Sequence, residues 1–99
     1  MGTVGNHKTL LLLVDDEEAI TANLAPFLKR SGFTVAVAHD GAEALALAGS
    51  FAPALVIMDV LMPNLDGREA LRRLRRAGNW TPVILLTQVG ESTERAMAL

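Results

Sequence analysis

The sequence predicts an α/β domain, a doubly wound parallel sheet with helices on both faces. The first observation is that residues 9–15, 54–59 and 81–87 are almost continuously apolar, as in strands that are covered on both sides. The second is that segments with helical spacing separate these runs, and such alternation indicates parallel strands joined by right-handed crossovers. With 99 residues, 51% of them hydrophobic, the chain has the length and composition of one globular domain.

The first strand, 9–15, is followed by a predicted helix that begins near Glu17 and ends before Gly32. Apolar residues recur along this segment with the spacing of one helical face: Ile20, Leu24, Phe27 and Leu28. Gly32 is typical of the residue just beyond a helix, where the backbone adopts a left-handed conformation. We expect all four apolar side chains to face the core.

The next three elements are a strand at 33–38, a helix at 41–49 and a strand at 54–59. The alternating character of the strand at 33–38 suits a position at the edge of the sheet. Asp40 and Glu43 have the spacing of a capping box, in which two side chains bond backbone N–H groups at the start of a helix. The helix at 41–49 therefore has a defined beginning.

The last elements repeat this arrangement. Asp66 and Glu69 form a second capping box and predict a helix over 67–77. The fourth strand, 81–87, comes next, and Ser92–Leu99 has a helical pattern. We predict the strand order 2-1-3-4, in which the first and third strands are neighbours.

Composition argues against several classes of function. The net charge of −2 disfavours nonspecific nucleic-acid binding, which depends on clustered cations. The chain has no cysteine and so no disulfide or thiolate metal site, as is usual in a reducing cytoplasm. The longest apolar run, Leu10–Val14, is too short to span a bilayer. Residues 1–8 lack the apolar region of a secretory signal, and we expect them to be a flexible tail before a domain at 9–99.

Polar residues end three of the four predicted strands. Asp15 and Asp16 follow the first, Asp59 ends the third and Thr87 ends the fourth. Because ligands of open parallel sheets bind beyond the carboxyl ends of the strands at the topological switch point, we expect the three carboxylates to converge. Such a cluster needs a cation, and Mg²⁺ prefers oxygen ligands, whereas zinc favours cysteine and histidine. Taken alone, the Asp15-Asp16 pair would more simply cap the first helix, but its register with Asp59 and Thr87 favours a magnesium site.

The segments "LLLVDDEE", "MDVLMPNLDG" and "PVILLT" resemble the receiver domain of response regulators in two-component signalling. The resemblance runs from about Thr9 to Leu99 and implies a flavodoxin-like, CheY-like fold. It also implies a cytoplasmic bacterial signalling domain, not an enzyme with a separate substrate. The phosphoryl group would come from a sensor histidine kinase or a phosphotransfer protein.

The resemblance assigns roles to individual residues. Asp59 would be the phosphoacceptor. Asp16 would bind Mg²⁺ directly, Asp15 would act mainly through water, and the backbone carbonyl of Leu61 would be a further protein ligand. Thr87 would hydrogen-bond the phosphoryl group and move inward on activation.

The sequence departs from the family pattern in two places. Gln88 stands where the family usually has a small residue, and the pattern stops inside the expected fourth helix, before the family's fifth strand, its lysine and its fifth helix. We therefore expect a truncated receiver whose fourth strand is an exposed edge, which favours self-association. An alternative function is an oligomerising or protein-interaction module without efficient phosphorylation. A hydrolase of the haloacid dehalogenase type is disfavoured, because Glu17 stands where those enzymes have the second aspartate of an Asp-x-Asp motif.

Overall fold

The computed structural model describes residues 9–88 and 95–98, with the backbone alone from Thr87 onward. The elements in chain order are β1 Thr9–Val14, α1 Glu18–Arg30, β2 Phe33–Ala38, α2 Gly41–Phe51, β3 Leu55–Asp59, α3 Gly67–Arg76, β4 Val83–Gln88 and β5 Arg95–Ala98. The predicted tail at residues 1–8 lies outside the described residues. Among the described helices, none has the length and apolar character needed to cross a membrane.

The sheet has the order β2-β1-β3-β4-β5, and its first four strands are parallel. The predicted order 2-1-3-4 is therefore confirmed, with β2 at one edge. Val14 at the end of β1 pairs with Met58 of β3, and Asp59 pairs with Leu86 of β4. The carboxyl ends of β1, β3 and β4 consequently lie side by side.

The fifth strand corrects two predictions for the end of the chain. Residues Arg95–Ala98 form a strand antiparallel to β4, with Leu85 paired to Ala98 and Gln88 paired to Arg95. The helix predicted over Ser92–Leu99 is thus wrong at these residues, and so is the prediction that β4 is an exposed edge. The physical reason is that a bare β4 would present a row of unpaired N–H and C=O groups, whereas a single helical turn gains little in isolation.

Alternate residues of the strands face two separate cores. Leu12 and Val14 of β1 belong to the larger core, which α2 and α3 cover, and Leu11 and Leu13 belong to the smaller core under α1. The other buried members of the larger core are Ala38, Ala44, Ala48, Val56, Met58, Val60, Met62, Ala70, Leu74, Val83 and Leu85. The last four residues of β1 are therefore buried on both faces, as its continuous apolar run predicts, whereas β3 is fully buried only on the side of α2 and α3.

Helix α1 buries less of its apolar stripe than the sequence predicts. Leu24 and Leu28 pack against the smaller core, but the side chains of Ile20 and Phe27 remain 42% and 54% exposed. The helix instead meets the sheet through the small residues Thr21 and Ala25. Because successive residues of a helix are separated by about 100°, this orientation leaves Ile20 and Phe27 on its flank.

The capping box predicted at α2 forms completely, whereas the one predicted at α3 makes only the first of its two hydrogen bonds. The Asp40 carboxylate accepts a hydrogen bond from the N–H of Glu43 at 2.7 Å, and the Glu43 carboxylate accepts one from the N–H of His39 at 2.8 Å. At α3, Asp66 accepts from the N–H of Glu69 at 2.9 Å. The Glu69 side chain instead pairs with the neighbouring arginines, which lower its pKa.

Candidate functional site

The ends of β1 and β3 bring three carboxylates together. Asp15 and Asp16 directly follow the last residue of β1, and Asp59 is the last residue of β3. Each of the three offers a carboxylate oxygen, and these oxygens lie within 4.8 Å of one another. The convergence expected from the strand order is therefore present.

Asp15 also has the helix-capping role that the sequence leaves open. Its side chain is buried, with 8% exposed, and its Oδ1 accepts a hydrogen bond from the N–H of Glu17 at 2.9 Å. A carboxylate has two oxygens and several acceptor positions. Asp15 can thus orient the start of α1 and still contribute charge to the cluster.

The surroundings of Asp59 raise the pKa of its carboxyl group. Burial is the largest cause, and the charges of Asp15 and Asp16 add to it, because a like charge nearby disfavours ionisation. The nearby backbone N–H groups of Val60 and Leu61 act in the opposite direction and lower the pKa, although the Val60 N–H donates its hydrogen bond to the carbonyl of Leu86 at 3.1 Å. Sequence reasoning missed these two amides, because no side chain indicates them and only the loop after β3 brings them near Asp59.

Two buried residues anchor the loop between β3 and α3 to the core. Val60 and Met62 belong to the larger core, whereas Leu61 between them is 67% exposed. Gly67, at the start of α3, donates its N–H to the carbonyl of Val60 at 2.8 Å. A Cβ at Gly67 would meet the backbone carbonyl oxygen of Asp59. The close approach of α3 to the end of β3 therefore requires glycine here.

The remaining candidate residues are located by their backbone. Leu61 lies two residues beyond Asp59, and the role of its carbonyl as a ligand stays a prediction. Thr87 and Gln88 are the last residues of β4. Since Asp59 pairs with Leu86, Thr87 lies one position further along the neighbouring strand, and its side chain lies outside the described part of the chain.

The donor set fits a hard divalent cation. At least two of the three pairs of ligands on an octahedral magnesium ion are adjacent and about 3.0 Å apart, given Mg–O distances of about 2.1 Å. The three oxygens, within 4.8 Å of one another, would reach this spacing by side-chain movement, or one of them would bind through a water molecule. Within residues 9–88 and 95–98, no other group of three or more potential metal-ligating side chains is found, and no histidine belongs to this one.

The fold and the site place the chain among doubly wound domains with an acidic cluster at the switch point of the sheet. The chain belongs to the response regulator receiver domain family, whose sequence profile matches residues 11–99. Two relatives, named "Response regulator MprA", come from Mycobacterium ulcerans (strain Agy99) and Mycobacterium avium (strain 104). They are 42% and 40% identical to the chain over 89 residues, which is 90% of it. The chain spans 38% and 39% of their lengths.

Solved structures agree with this assignment. The receiver domain of the Francisella response regulator 1452 superposes with a TM-score of 0.79 and 32% identity, covering 86% of this chain and 70% of that one. The chemotaxis response regulator CheY4 of Vibrio cholerae gives a TM-score of 0.79 and 32% identity, covering 86% and 72%. Similarity in both sequence and structure therefore supports the same family and the CheY-like fold.

Proposed function

We propose that this chain is a phosphoacceptor domain in which Asp59 receives a phosphoryl group from a sensor histidine kinase or a phosphotransfer protein in the cytoplasm. The observation that carries the proposal is the cluster of Asp15, Asp16 and Asp59, whose oxygens lie within 4.8 Å of one another at the switch point of the sheet. Such a cluster is electrostatically unfavourable on its own, and a function that recruits a cation explains it.

The three carboxylates are suited to different tasks. Asp15 is buried, and one of its oxygens is engaged by the N–H of Glu17. Asp16 is exposed and free to bind an ion from the solvent side. Asp59 is half-buried at the end of β3, and the nearby backbone N–H groups of Val60 and Leu61 favour its charged form. Asp59 is therefore the best candidate for the nucleophile, and Asp15 and Asp16 for the ion site.

In the proposed transfer, a carboxylate oxygen of Asp59 attacks the phosphorus of a phosphohistidine. The new P–O bond forms as the P–N bond breaks, and the imidazole leaves with the electron pair. Bound Mg²⁺ would neutralise negative charge on the carboxylates and on the phosphoryl oxygens. Thr87, one position beyond the residue paired with Asp59, would donate its hydroxyl to the transferred group.

The test is intact-mass spectrometry after incubation with acetyl phosphate and Mg²⁺. We expect the mass of one phosphoryl group to be added to the wild-type chain, and no addition in Asp59→Asn. Asp40→Asn is the matched control, because it makes the same change at an aspartate that caps α2 outside the cluster, and it should be phosphorylated like the wild type. An adduct that persists in Asp59→Asn would contradict the assignment.

The same experiment distinguishes the alternative function. A protein-interaction module without efficient phosphorylation would give no adduct on the wild-type chain, with Mg²⁺ or without it. A steady-state phosphatase assay is the second arm, because a phosphoacceptor domain turns over only its own acyl phosphate. Repeated turnover of an independent phosphate ester would indicate a hydrolase instead.

A further inference from the structure

Helix α3 carries a concentrated positive charge on its exposed side. Its sequence includes five arginines and one glutamate, in a chain whose total charge is −2. The rest of the protein is therefore net acidic, and α3 is a basic surface within it. Arg68, Arg72 and Arg75 have the i, i+4, i+7 spacing of one side of a helix. These three residues form a basic row, and Arg75 brings the row to the loop that follows the helix.

The basic row ends at Trp80, the only tryptophan of the chain. The guanidinium group of Arg75 lies over the indole, 5.4 Å from the ring centroid, which is within the range of a cation–π interaction. Trp80 nevertheless remains 73% exposed. A large aromatic side chain in this position contributes little to the core and is available to a partner.

Hydrogen bonds on both sides of Trp80 hold its loop in place. Nη1 of Arg75 donates to the carbonyl of Asn79 at 3.1 Å and to that of Thr81 at 2.7 Å. Oδ1 of Asn79 accepts from the N–H of Thr81 at 3.0 Å and from its hydroxyl at 2.6 Å. The N–H of Asn79 also donates to the carbonyl of Leu74 at 3.0 Å. The exposed indole is thus carried by an ordered backbone, which reduces the entropy lost when a partner binds.

We propose that the basic row and Trp80 form a docking surface for an acidic helix of a partner protein. Carboxylates at four-residue spacing on that helix match the spacing of Arg68 and Arg72, and an apolar residue beyond them packs against the indole. Charge complementarity selects this partner, because the guanidinium fork matches the two oxygens of a carboxylate. Tryptophan and arginine are also the residues that most often dominate the energy of protein–protein interfaces.

Two features favour a protein partner over a nucleic acid. The chain outside α3 is net negative, which repels a long polyanion but not a short acidic segment confined to α3. A helix of 10 residues is also only about 15 Å long, whereas nonspecific nucleic-acid binding depends on many phosphate contacts. Trp80 precedes β4, whereas Asp59 ends β3 at the opposite end of the sheet. Binding at this surface therefore does not depend on phosphorylation of Asp59.

The probe is a helical, alanine-based peptide of about 18 residues, with glutamates at four-residue spacing and one leucine a turn beyond them. Because Trp80 is the single tryptophan of the chain and the peptide has none, the fluorescence of Trp80 reports binding directly. Titration should shift the emission to shorter wavelength and saturate, and the affinity should fall as salt is added. A peptide with glutamine in place of each glutamate should bind at least about tenfold more weakly.

The basic row is tested by the double variant Arg68→Gln with Arg72→Gln. Both side chains are exposed, so the variant should keep the wild-type circular dichroism spectrum while its affinity for the glutamate peptide falls by about threefold to tenfold. Lys29→Gln with Arg30→Gln is the matched control, because it removes the same charge from the end of α1, on the other face of the sheet. Its affinity for the peptide should equal that of the wild type.

The aromatic contact is tested by Trp80→Ala, with binding followed by calorimetry. Its affinity for the glutamate peptide should fall by at least about tenfold, whereas Phe27→Ala, at a 54% exposed residue of α1, should bind like the wild type. A wild-type chain that does not bind the peptide would overturn the proposal, as would unchanged binding in the Arg68/Arg72 variant. Tighter binding of a single-stranded oligonucleotide would overturn it in favour of a nucleic acid. A shift of Trp80 emission with protein concentration alone would overturn it in favour of a second copy.

Discussion

Replacing Asp59 with asparagine should stabilise the metal-free protein. Two unit charges 4.8 Å apart, the limit within which the three ligand oxygens lie, repel by about 0.9 kcal/mol at the dielectric constant of water and by about 3.5 kcal/mol at an effective value of about 20. Asp59→Asn removes two such repulsions and keeps the size and shape of the side chain. Because Asp16 is exposed and its charge is screened, we expect a gain of about 1–2 kcal/mol in the free energy of unfolding.

The assay is thermal unfolding in EDTA at neutral pH and low salt. For a domain of this size, the expected gain corresponds to a rise in Tm of about 5–10 °C. Asp40→Asn should show no such rise, since Asp40 is outside the cluster and asparagine also caps helices. The difference between the wild type and Asp59→Asn should shrink as salt is added.

The pH dependence of this difference has a defined sign. The pKa of Asp59 is raised in the folded protein, so the charged form of this group disfavours the fold, and stability is lost as pH rises through that pKa. Below it, Asp59 is protonated and neutral, and the wild type and Asp59→Asn should converge. The repulsion would be refuted if Asp59→Asn were less stable than the wild type in EDTA. It would also be refuted if the difference in stability between the two proteins did not depend on pH and salt.

Further predictions concern magnesium, two glycines and one helix cap. At ten times its Kd, Mg²⁺ should stabilise the wild type by about 1.4 kcal/mol and Asp59→Asn by clearly less, as measured by thermal unfolding. Equal stabilisation of the two proteins would show that Asp59 does not bind the ion. Gly67→Ala should cost about 2–3 kcal/mol in urea unfolding, because its Cβ meets the Asp59 carbonyl. Gly49→Ala, whose Cβ meets nothing within 4 Å, should instead stabilise by about 0.5–1 kcal/mol; the reverse order would contradict the packing described. Asp40→Ala should cost about 1 kcal/mol, and an unchanged midpoint would show that the cap bond to Glu43 contributes nothing.

The parallel sheet and the carboxylate cluster could be predicted because their signals are local and mutually consistent. The apolar runs at 9–15 and 54–59 specify strands buried on both faces, and each run leads directly into a carboxylate. Once the first and third strands are neighbours, the positions of Asp15 and Asp59 follow from the geometry of a parallel sheet. The order of the strands therefore also predicts where the carboxylate cluster lies.

The parts that could not be predicted depend on contacts between distant segments. The pattern of residues 95–98 is compatible with one helical turn, and only the presence of β4 beside it selects a strand. Similarly, the apolar spacing of α1 identifies a helix but not its rotation about its own axis, which Thr21 and Ala25 determine by their close contact with the sheet. Helical periodicity fixes which residues share a face, whereas the sheet determines how much of that face is covered.

Buried and more exposed residues alternate from the end of β3 into the loop that follows, so neighbouring residues are under different constraints. Met58, Val60 and Met62 belong to the larger core, whereas Asp59 is half-buried and Leu61 is exposed. In a library of all single substitutions, folding should restrict the first set, whereas Leu61, which is 67% exposed, should accept most changes. Under the proposed function, substitutions at Leu61 could then alter access to Asp59 while leaving the buried residues beside it intact.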